Sequence, residues 1–382
     1  MRTIEAITMA LLLLPATARA QGIGDEGPKW VNVTGNVGGD TWGYAGVCKI
    51  ACVPGPDRDE VIAGISERGL WSSVDGDATW RKLGAEDKVP IAHRPHQVLF
   101  DPTQPKTFWV SGCYGAGLFK TTDGGRTFLP LGKLSHLDGV AVDFTDKDRR
   151  TLLTGHHEAA RSIEKSADGG RTWQPIGKNL PDKTNHSTDP IVLDANTYIV
   201  NTAGWAKGMS WGIYRTEDGG ATWAKVSDLG PSGVALTAGD GTIFWQLTWG
   251  GGLISSSDKG KTWRRIPSPV KSNLIEVPAG SKLGGPAGAL LGWADATLYV
   301  SRDVGKTWSK LGGPTPIKPH SLAYSQKRDC LFIARSTQGK VGDAIFRGDL
   351  GADADQGFKE QPAALPAPAG RGLRRNPTRW RR

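Results

Sequence analysis

Five residues of the chain could carry out acid/base chemistry on a glycan. Three are consecutive, at His156, His157 and Glu158, and the other two are Tyr114 and Asp295. Hydrolysis of a glycosidic bond needs two carboxyl groups that face each other across the bond, and Glu158 and Asp295 are the candidates. Elimination from a uronic acid needs a histidine or tyrosine base instead, for which His156, His157 and Tyr114 are candidates.

A second group of residues could bind a glycan without cleaving it. Tryptophan rings suit the C–H faces of sugars, and cationic side chains suit carboxylates, with Arg161 as a candidate for neutralising a uronate. The candidate binding residues are His93, His96, His136, His186, His320, Arg94, Arg161, Trp205, Trp211, Trp249, Trp293 and Arg335. An alternative interpretation is that these histidines bond nearby backbone groups and that the tryptophans pack loops.

The sequence predicts no metal ion and no cofactor. His93 and His96 are separated by two residues, which is too short a pattern to define a metal site by itself. Ligation by His93, His96 and His136, together with His156 or His157, remains an alternative that depends on geometry.

The four cysteines leave their pairing open. Cys48 and Cys52 are four residues apart in an apparent strand, about 13 Å from one end to the other, so they cannot bond each other. Long-range bridges of the kind Cys48–Cys330 and Cys52–Cys113 are one possibility, and buried free thiols are the other.

The elements that position these residues are marked by an eight-residue phrase, Ser166-Ala167-Asp168-Gly169-Gly170-Arg171-Thr172-Trp173 and its variants. The phrase occurs six times, with aspartates at Asp75, Asp123, Asp168, Asp218, Asp258 and Asp303. Successive aspartates are 48, 45, 50, 40 and 45 residues apart, a period that indicates one repeated supersecondary unit. Apolar runs flank each copy, so Asp-Gly-Gly predicts a hairpin turn that the aspartate staples.

The phrase resembles the Asp-box, or BNR, repeat of sialidases, xyloglucanase-type glycosidases, sortilin-type receptors and photosystem II assembly factors. The resemblance implies an all-β fold of the β-propeller type, but little about activity, because these relatives share little function. Sialidases have an early Arg-Ile-Pro motif, whereas the Arg-Ile-Pro of this sequence, Arg265-Ile266-Pro267, follows the fifth copy of the phrase. Tandem-propeller xyloglucanases are about twice as long. No catalytic residue is therefore carried over from either family.

We expect a single seven-bladed β-propeller of four-stranded antiparallel blades over residues 21–360. Six blades carry the phrase, and the seventh, around Ala344–Asp349, is expected to be completed by an N-terminal strand, Lys29–Val33. A six-bladed ring with a terminal cap is the alternative.

In a propeller of this kind, all seven histidines are expected on one face. If the strands of a blade run A to D from axis to rim, the phrases join C to D, and the D-to-A and B-to-C connections lie on the opposite face. Every histidine falls in or beside those connections. Further residues that precede or begin the A strands should ring the axial mouth, namely Arg94, Asp138, Asp189, Asn273 and Lys318.

The two ends of the chain have their own signatures. Residues 1–20 have a basic start, an apolar run and a small-x-small cleavage site, which predict a secretory signal peptide and a secreted or periplasmic protein. Residues 361–382 are rich in proline, with six arginines and no acid, and predict a disordered basic tail that could contact anionic surfaces weakly. These ends account for most of the formal charge of +9, leaving about +2 for the body, so nucleic-acid binding is not expected.

Two classes of function fit these observations. The first is an exported carbohydrate-active propeller, a glycoside hydrolase or polysaccharide lyase that acts on a glycan at the face rich in histidine and tryptophan, opposite the repeated phrases. The second is a non-catalytic propeller that binds a protein partner or assists assembly of an envelope or membrane complex. A monomer without a membrane span is expected in both cases, because no other segment is long and apolar enough to cross a bilayer.

Overall fold

The computed structural model of this protein describes residues 27–55, 59–74, 76, 78–84, 91, 94–181, 189–202, 211–337, 339–340 and 342–350. The expected signal peptide and basic tail lie outside these residues. The described residues form seven four-stranded antiparallel sheets, so the seven-bladed propeller is confirmed and the six-bladed alternative is wrong. The helical content of the described chain is three short 3-10 turns, none of which could cross a bilayer.

The strands follow each other along the chain from blade to blade. Before blade 1 come β1 (Lys29–Asn32) and β2 (Thr41–Trp42). Blade 1 contains β3 (Val47–Val53), β4 (Glu60–Ile65), β5 (Gly69–Ser73) and β6 (Arg81–Lys82). Blade 2 contains β7 (Arg94–Phe100), β8 (Phe108–Cys113), β9 (Leu118–Thr121) and β10 (Leu129–Pro130). Blade 3 contains β11 (Leu137–Val142), β12 (Leu152–His156), β13 (Ile163–Ser166) and β14 (Gln174–Pro175).

The second half of the ring repeats this plan. Blade 4 contains β15 (Ile191–Val192), β16 (Tyr198–Thr202), β17 (Gly212–Thr216) and β18 (Ala224–Ser227). Blade 5 contains β19 (Leu236–Thr237), β20 (Ile243–Gln246), β21 (Leu253–Ser256) and β22 (Arg264–Ile266). Blade 6 contains β23 (Ile275–Val277), β24 (Ala289–Ala294), β25 (Thr297–Ser301) and β26 (Ser309–Lys310). Blade 7 contains β27 (Ser321–Ser325), β28 (Cys330–Ala334) and β30 (Ile345–Asp349). The remaining elements are β29 (Gly339–Lys340) and the turns Gly177–Asn179, Thr248–Gly250 and Gly285–Ala287.

The N-terminal strand β1 is the outermost strand of blade 7, as the sequence predicts. It pairs antiparallel with β30, with Lys29 opposite Asp349 and Asn32 opposite Phe346. The hydroxyl of Thr34 accepts hydrogen bonds from the backbone N–H groups of Ala344 and Ile345, at 2.9 and 3.0 Å. The two ends of the folded chain are thereby joined in one sheet, which closes the ring and pairs the open edge of blade 7.

Apolar side chains fill the spaces between neighbouring blades. Between blades 1 and 2, Leu70 packs with Phe108 and Phe119, and each of the three is at most 2% exposed. Complete burial of side chains of this size contributes roughly 1.5–3 kcal/mol each. Because the inner strands of adjacent blades also contact each other, for example β3 with β7 and β7 with β11, residues at their ends are held at fixed positions around the axis.

The repeated phrase forms the stapled turn that its composition predicts. In the copy of blade 3, Asp168 Oδ1 accepts a hydrogen bond from Thr172 N at 2.9 Å, and Asp168 Oδ2 accepts one from the Thr172 hydroxyl at 2.6 Å. Gly169 and Gly170 have positive φ values of 78° and 92°, which the turn requires. The same hydroxyl bond recurs at 2.6 Å in the other described copies, at Asp123, Asp218, Asp258 and Asp303. Asp75, of the first copy, lies outside the described residues.

All four cysteines are free thiols, so neither of the long-range bridges left open by the sequence is present. Cys48 and Cys52 lie in the same strand, β3, as expected. Cys113 and Cys330 are fully buried in blades 2 and 7. Of the two possibilities, the structure has buried or half-buried thiols.

Candidate functional site

The candidate site lies where the inner strands of blades 1 to 3 begin, on the face opposite the stapled turns. The described histidines lie in or beside B-to-C and D-to-A connections of that face, at His96, His136, His156, His157 and His320. His93, His186 and Trp205 lie outside the described residues, as does the side chain of Trp249.

Three consecutive inner strands have an irregular register close to their first residues. The register shifts between Val47 and Lys49 in β3, between Pro95 and Gln97 in β7, and between Leu137 and Val140 in β11. The extra residues are Cys48, His96 and the Asp138-Gly139 pair. A β-bulge bends its strand and re-aims a side chain, so these irregularities bring a polar cluster together at the axis.

A chain of hydrogen bonds joins Asp138, His157 and Tyr114. Nδ1 of His157 lies 2.8 Å from Oδ1 of Asp138, whose side chain is 0% exposed. Nε2 of the same ring lies 3.4 Å from the hydroxyl of Tyr114. Because the carboxylate accepts the proton of Nδ1, Nε2 has a free lone pair that can accept a proton from Tyr114.

His136 supports this arrangement from the adjacent position in blade 3. Its Nδ1 accepts a hydrogen bond from the backbone N–H of Tyr114 at 3.0 Å, and its carbonyl oxygen accepts one from the N–H of His157 at 2.7 Å. The ring centroids of His136 lie 5.0 Å from those of both Tyr114 and His157. Tyr114 and His136 have positive φ values of 59° and 57°, so this packing holds a locally strained backbone.

Arg94 lies beside Tyr114 at a cleft between blades 1 and 2. Its guanidinium carbon is 5.2 Å from the ring centroid of Tyr44 and 6.0 Å from that of Tyr114. The cleft has a volume of about 370 Å³ and is lined by Tyr44, Ser66, Glu67, Arg94 and Tyr114. Burial raises the pKa of the Tyr114 hydroxyl although Arg94 opposes this, so the hydroxyl is protonated at neutral pH.

His96, in β7 of blade 2, contacts a carboxylate of blade 4, on the other side of blade 3. Nε2 of His96 lies 2.9 Å from Oδ1 of Asp189, whose side chain is 2% exposed. Burial alone would lower the pKa of His96, but the Asp189 carboxylate raises it well above its usual value. Gly139 makes the contact possible, because a Cβ at this position would lie 2.6 Å from Asp189 Oδ1.

Two further histidines of this face, His320 and His156, differ from His96 in charge. Burial lowers the pKa of His320, and the nearby cations Arg94 and Lys49 lower it further. Burial also lowers the pKa of His156, whose Nε2 lies 3.9 Å from Oε1 of Glu164. Both rings are therefore neutral at physiological pH, whereas His96 is the one that Asp189 favours as a cation.

Glu158 and Asp295, the two candidate carboxylates for hydrolysis, belong to different parts of the ring. Glu158 follows His157 in blade 3, with Oε1 3.7 Å from Nε2 of His157. Asp295 lies in the turn between β24 and β25 of blade 6 and pairs with Lys318 at 2.9 Å. The Lys318 side chain lowers the pKa of Asp295, so this carboxyl is ionised and suited to an ion pair more than to proton donation.

The other described candidate binding residues are not among those that line the Tyr114 cleft. Arg161 is in the B-to-C connection of blade 3 with a positive φ of 53°. Trp211 precedes β17 of blade 4 and is 36% exposed. Trp293 is partly buried against the apolar cluster of blades 6 and 7, and the backbone N–H of Arg335 donates to Ala344 O after β28. These residues are distributed around the ring. The binding candidates that join the cluster are Arg94, His96, His136 and His320, since Arg94 and His96 both act on the pKa of His320.

Four residues of the cluster are not among the candidate catalytic and binding residues of the sequence analysis. Asp138 and Asp189 are expected near the axial mouth. Their hydrogen-bond partners, His157 for Asp138 and His96 for Asp189, depend on the bulges. The sequence leaves Cys113 as either a disulfide cysteine or a buried free thiol, and its Sγ lies 3.6 Å from Oδ1 of Asp138. Tyr44 precedes blade 1, outside the repeating units, so the repeat pattern contained no signal for it.

Comparisons with known proteins agree with the fold. No family model matches the sequence. A xyloglucanase from Paenibacillus sp. is 24% identical over 316 residues, which cover 74% of this chain and 28% of the relative, so the chain spans less than a third of that protein's length.

Two solved structures are also similar. The structure of YCF48 bound to a D1 peptide has a TM-score of 0.52 and 16% identity, and the match covers 87% of this chain and 99% of YCF48. The GH74 xyloglucanase of Xanthomonas campestris has a TM-score of 0.50 and 18% identity, covering 83% of this chain and 53% of the enzyme. At these identities the similarity shows a shared propeller fold.

Proposed function

We propose that this chain is an exported carbohydrate-active propeller, and that it cleaves a uronate-containing glycan by β-elimination at the cleft beside Tyr114. The observation that carries this proposal is the chain of contacts from Asp138 through His157 to Tyr114, next to the guanidinium of Arg94. The similarity to xyloglucanase-type propellers supports the glycan class of substrate. The repeated phrase is best explained as the Asp-box repeat of that superfamily.

The residues have complementary roles in this reaction. Arg94 binds the uronate carboxylate and stabilises the negative charge that develops on it when C5 loses its proton. His157 accepts the hydroxyl proton of Tyr114, and Asp138 stabilises the resulting imidazolium. The Tyr114 oxygen then takes the C5 proton, the electron pair forms the C4–C5 double bond, and the C4–O bond breaks. The departing oxygen takes the proton from His157, so both side chains return to their initial states.

Elimination fits the geometry better than hydrolysis. A hydrolase needs two carboxyl groups about 5–10 Å apart on either side of the bond. Glu158 has a suitable position beside His157, but Asp295 is on blade 6 and holds Lys318. Elimination uses one base and one cation, which the cleft supplies from Tyr114 and Arg94.

The test is the incubation of the full chain with a panel of polyuronates and neutral glycans. Elimination creates a conjugated C4–C5 double bond, so we expect a rise in ultraviolet absorbance with a polyuronate. Tyr114→Phe and His157→Ala should each reduce the rate by about 100-fold or more. Tyr299→Phe, in β25 of blade 6, is the matched control and should retain the rate. New reducing ends without the absorbance change would show hydrolysis and contradict the proposed reaction.

Arg94 allows a separate test of substrate charge. Arg94→Gln should raise KM for the polyuronate, because the binding of the carboxylate is lost, and it should also lower kcat. Arg265, on outer strand β22, donates to Gly251 O, so Arg265→Gln is a control for loss of a guanidinium. If the Arg94→Gln variant has the KM and kcat of the wild type, Arg94 does not bind the substrate.

A second candidate is a non-catalytic propeller that binds a peptide segment of a protein partner. It is favoured by the match to peptide-bound YCF48, which extends over nearly all of that single propeller. The exposed rings of Tyr44 and Tyr114 beside Arg94 could hold an extended peptide instead of a sugar chain. Retention of a peptide by the wild type but not by Arg94→Gln, without turnover of any glycan, would favour this candidate.

Export and the chain ends belong to the same proposal. Residues 1–20 are proposed to direct the protein to the periplasm or the exterior, where extracellular glycans occur. The arginines of residues 361–382 are proposed to add a weak attraction to anionic polymers. Mass spectrometry of the secreted chain, with cleavage after Ala20, tests the first of these.

A further inference from the structure

A second cluster of chemically distinct side chains lies directly beneath the cleft, and the proposed elimination does not use it as a whole. A ring nitrogen of His96, Sγ of Cys113 and a carboxylate oxygen of Asp138 lie within 4.8 Å of one another. Cys113 and the side chain of Asp138 are fully buried, whereas the side chain of His96 is 22% exposed. Imidazole, thiolate and carboxylate together are the ligand types of transition-metal sites.

We propose that His96, Cys113 and Asp138 bind a zinc ion at the axial end of blades 2 and 3. Nothing in the proposed elimination requires this ion, and the proposal goes beyond that function.

The spacing of the ligand atoms suits a tetrahedral ion. With Zn–S near 2.3 Å and Zn–O near 2.0 Å, a sulfur and an oxygen of one tetrahedron lie about 3.5 Å apart. Sγ of Cys113 is 3.6 Å from Oδ1 of Asp138, and the thiol also hydrogen-bonds the ring of His96. The third ligand atom, a ring nitrogen of His96, lies within 4.8 Å of both.

The hydrogen bond of His96 has the direction that metal binding needs. Nε2 of His96 lies 2.9 Å from Asp189 Oδ1, so Nε2–H can donate to this carboxylate while zinc displaces the proton of the cationic ring from Nδ1. A carboxylate that holds the second nitrogen of a histidine ligand is a recurring feature of zinc sites. Among the described residues, Oδ2 of Asp189 is buried without a hydrogen-bond partner, as expected for a carboxylate whose role is to balance a nearby positive charge.

The ligands themselves can balance the charge of a divalent cation at this position. Zinc would displace the proton of the Cys113 thiol, which now donates to Leu137 O at 3.1 Å. The resulting thiolate and Asp138 together neutralise a divalent ion. Asp138 Oδ1 has lone pairs for both the ion and Nδ1 of His157, so zinc binding leaves the contact with His157 in place.

A neighbouring group, His136, His157 and Glu158, also has its ligand atoms within 4.8 Å, but it fits a metal less well. Nδ1 of His136 accepts the backbone N–H of Tyr114, so the proton of the neutral ring is on Nε2. That nitrogen is therefore unable to bind a metal without a change of tautomer. The group also contains no sulfur, which makes the two sites distinguishable by spectroscopy.

The test is a titration of the chelator-treated full chain with Co²⁺, followed by competition with Zn²⁺ for a chromophoric chelator. We expect one equivalent of Co²⁺ to bind, with ligand-field bands of a four-coordinate ion and a near-ultraviolet thiolate charge-transfer band. Cys113→Ser should abolish the charge-transfer band. Cys330→Ser removes a similarly buried thiol of β28 in blade 7 and should leave the band unchanged.

Asp189→Asn supplies an independent measurement, because it leaves all three ligands in place. Loss of this carboxylate should weaken Zn²⁺ binding by about 10–100-fold. Circular dichroism and thermal unfolding without metal establish that each variant is folded. The proposal is overturned if the folded wild type binds no stoichiometric ion, if its Co²⁺ spectrum has no thiolate band, or if the band persists in Cys113→Ser. None of these measurements uses a glycan, so their result is separate from that of the elimination assay.

Discussion

Oδ1 of Asp138 and Nδ1 of His157 are 2.8 Å apart, and the carboxylate is completely shielded from solvent. Asp138 begins the irregular part of β11, whereas His157 follows β12, so the bulge is what brings the two groups together. The contact fixes the tautomer of the ring and directs its basic nitrogen to the hydroxyl of Tyr114. A histidine that serves only in packing does not need a carboxylate to fix its tautomer and orientation.

The first prediction concerns this contact. Asp138→Asn has nearly the same shape, but its amide can donate to Nδ1 and favour the other tautomer, so the rate of elimination should fall by about 100-fold or more. The initial rate of ultraviolet absorbance change measures this. Asp143→Asn is the matched control, because Asp143 is a buried carboxylate at the opposite end of β11 that accepts the N–H of Thr145. Equal rates in the wild type and Asp138→Asn would contradict the proposed role.

The second prediction uses the close approach of β11 to Asp189. In Gly139→Ala the new Cβ would lie 2.6 Å from Oδ1 and 3.0 Å from Cα of Asp189, so the contact with His96 should break. Overpacking of this kind costs roughly 1–3 kcal/mol of the free energy of unfolding, which urea denaturation can measure. Gly239→Ala is the control, since its nearest neighbour is Oε1 of Glu276 at 3.4 Å. If the Gly139→Ala protein is as stable as this control, β11 can move enough to accommodate the added methyl group.

The third prediction is a dependence of stability on acid. Arg149 donates two hydrogen bonds to the buried carboxylate of Asp101, at 2.8 and 3.0 Å, and lowers its pKa to about 2. The folded pKa is below the unfolded value, so this contribution to stability is complete above about pH 4 and is lost as the pH falls towards 2.

Replacement of Asp101 by Asn should remove that part of the acid dependence. It should also lower the free energy of unfolding at pH 7 by ~3 kcal/mol, because the buried Arg149 loses its partner. Urea denaturation of the wild type and the variant between pH 2 and 7 measures both effects. Parallel pH profiles for the two proteins would show that the pair contributes nothing to acid sensitivity.

The fourth prediction concerns the stapled turns. The hydroxyl of Thr127 donates to Asp123 at 2.6 Å, and Phe128 beside it is 4% exposed. Thr127→Val should lower the free energy of unfolding by ~1 kcal/mol, because the carboxylate loses a donor. Thr127→Ser retains the hydroxyl and should have nearly wild-type stability. If the two variants unfold at the same denaturant concentration, the hydroxyl is not a source of stability.

The repeated phrase explains why so much of the fold could be predicted. Its period gives the blades, its glycines give the turns, and its aspartates give the staples, all of which are local properties of short segments. The closure by Lys29–Asn32 was also predictable, because this segment resembles the other outermost strands and blade 7 lacks one.

The site was less predictable because its geometry depends on contacts between blades. The contacts of Asp138 with His157 and of Asp189 with His96 depend on β-bulges. The position of a bulge is set by the register between two paired strands. Asp295 is an example of a candidate whose position could not be predicted from its residue type. Its residue type suits acid catalysis, but its position on blade 6 places it with Lys318.

The closure of blade 7 also sets an order of events during synthesis. Lys29 is made roughly 320 residues before its partner Asp349, which corresponds to about 15–60 s at ordinary rates of translation. Throughout that time β1 has no strand to pair with, while blades 1 to 6 can already form. The ring can therefore close only after the last strand, β30, has been synthesised. Until then the unpaired strand β1 is accessible to a chaperone or to a second nascent chain.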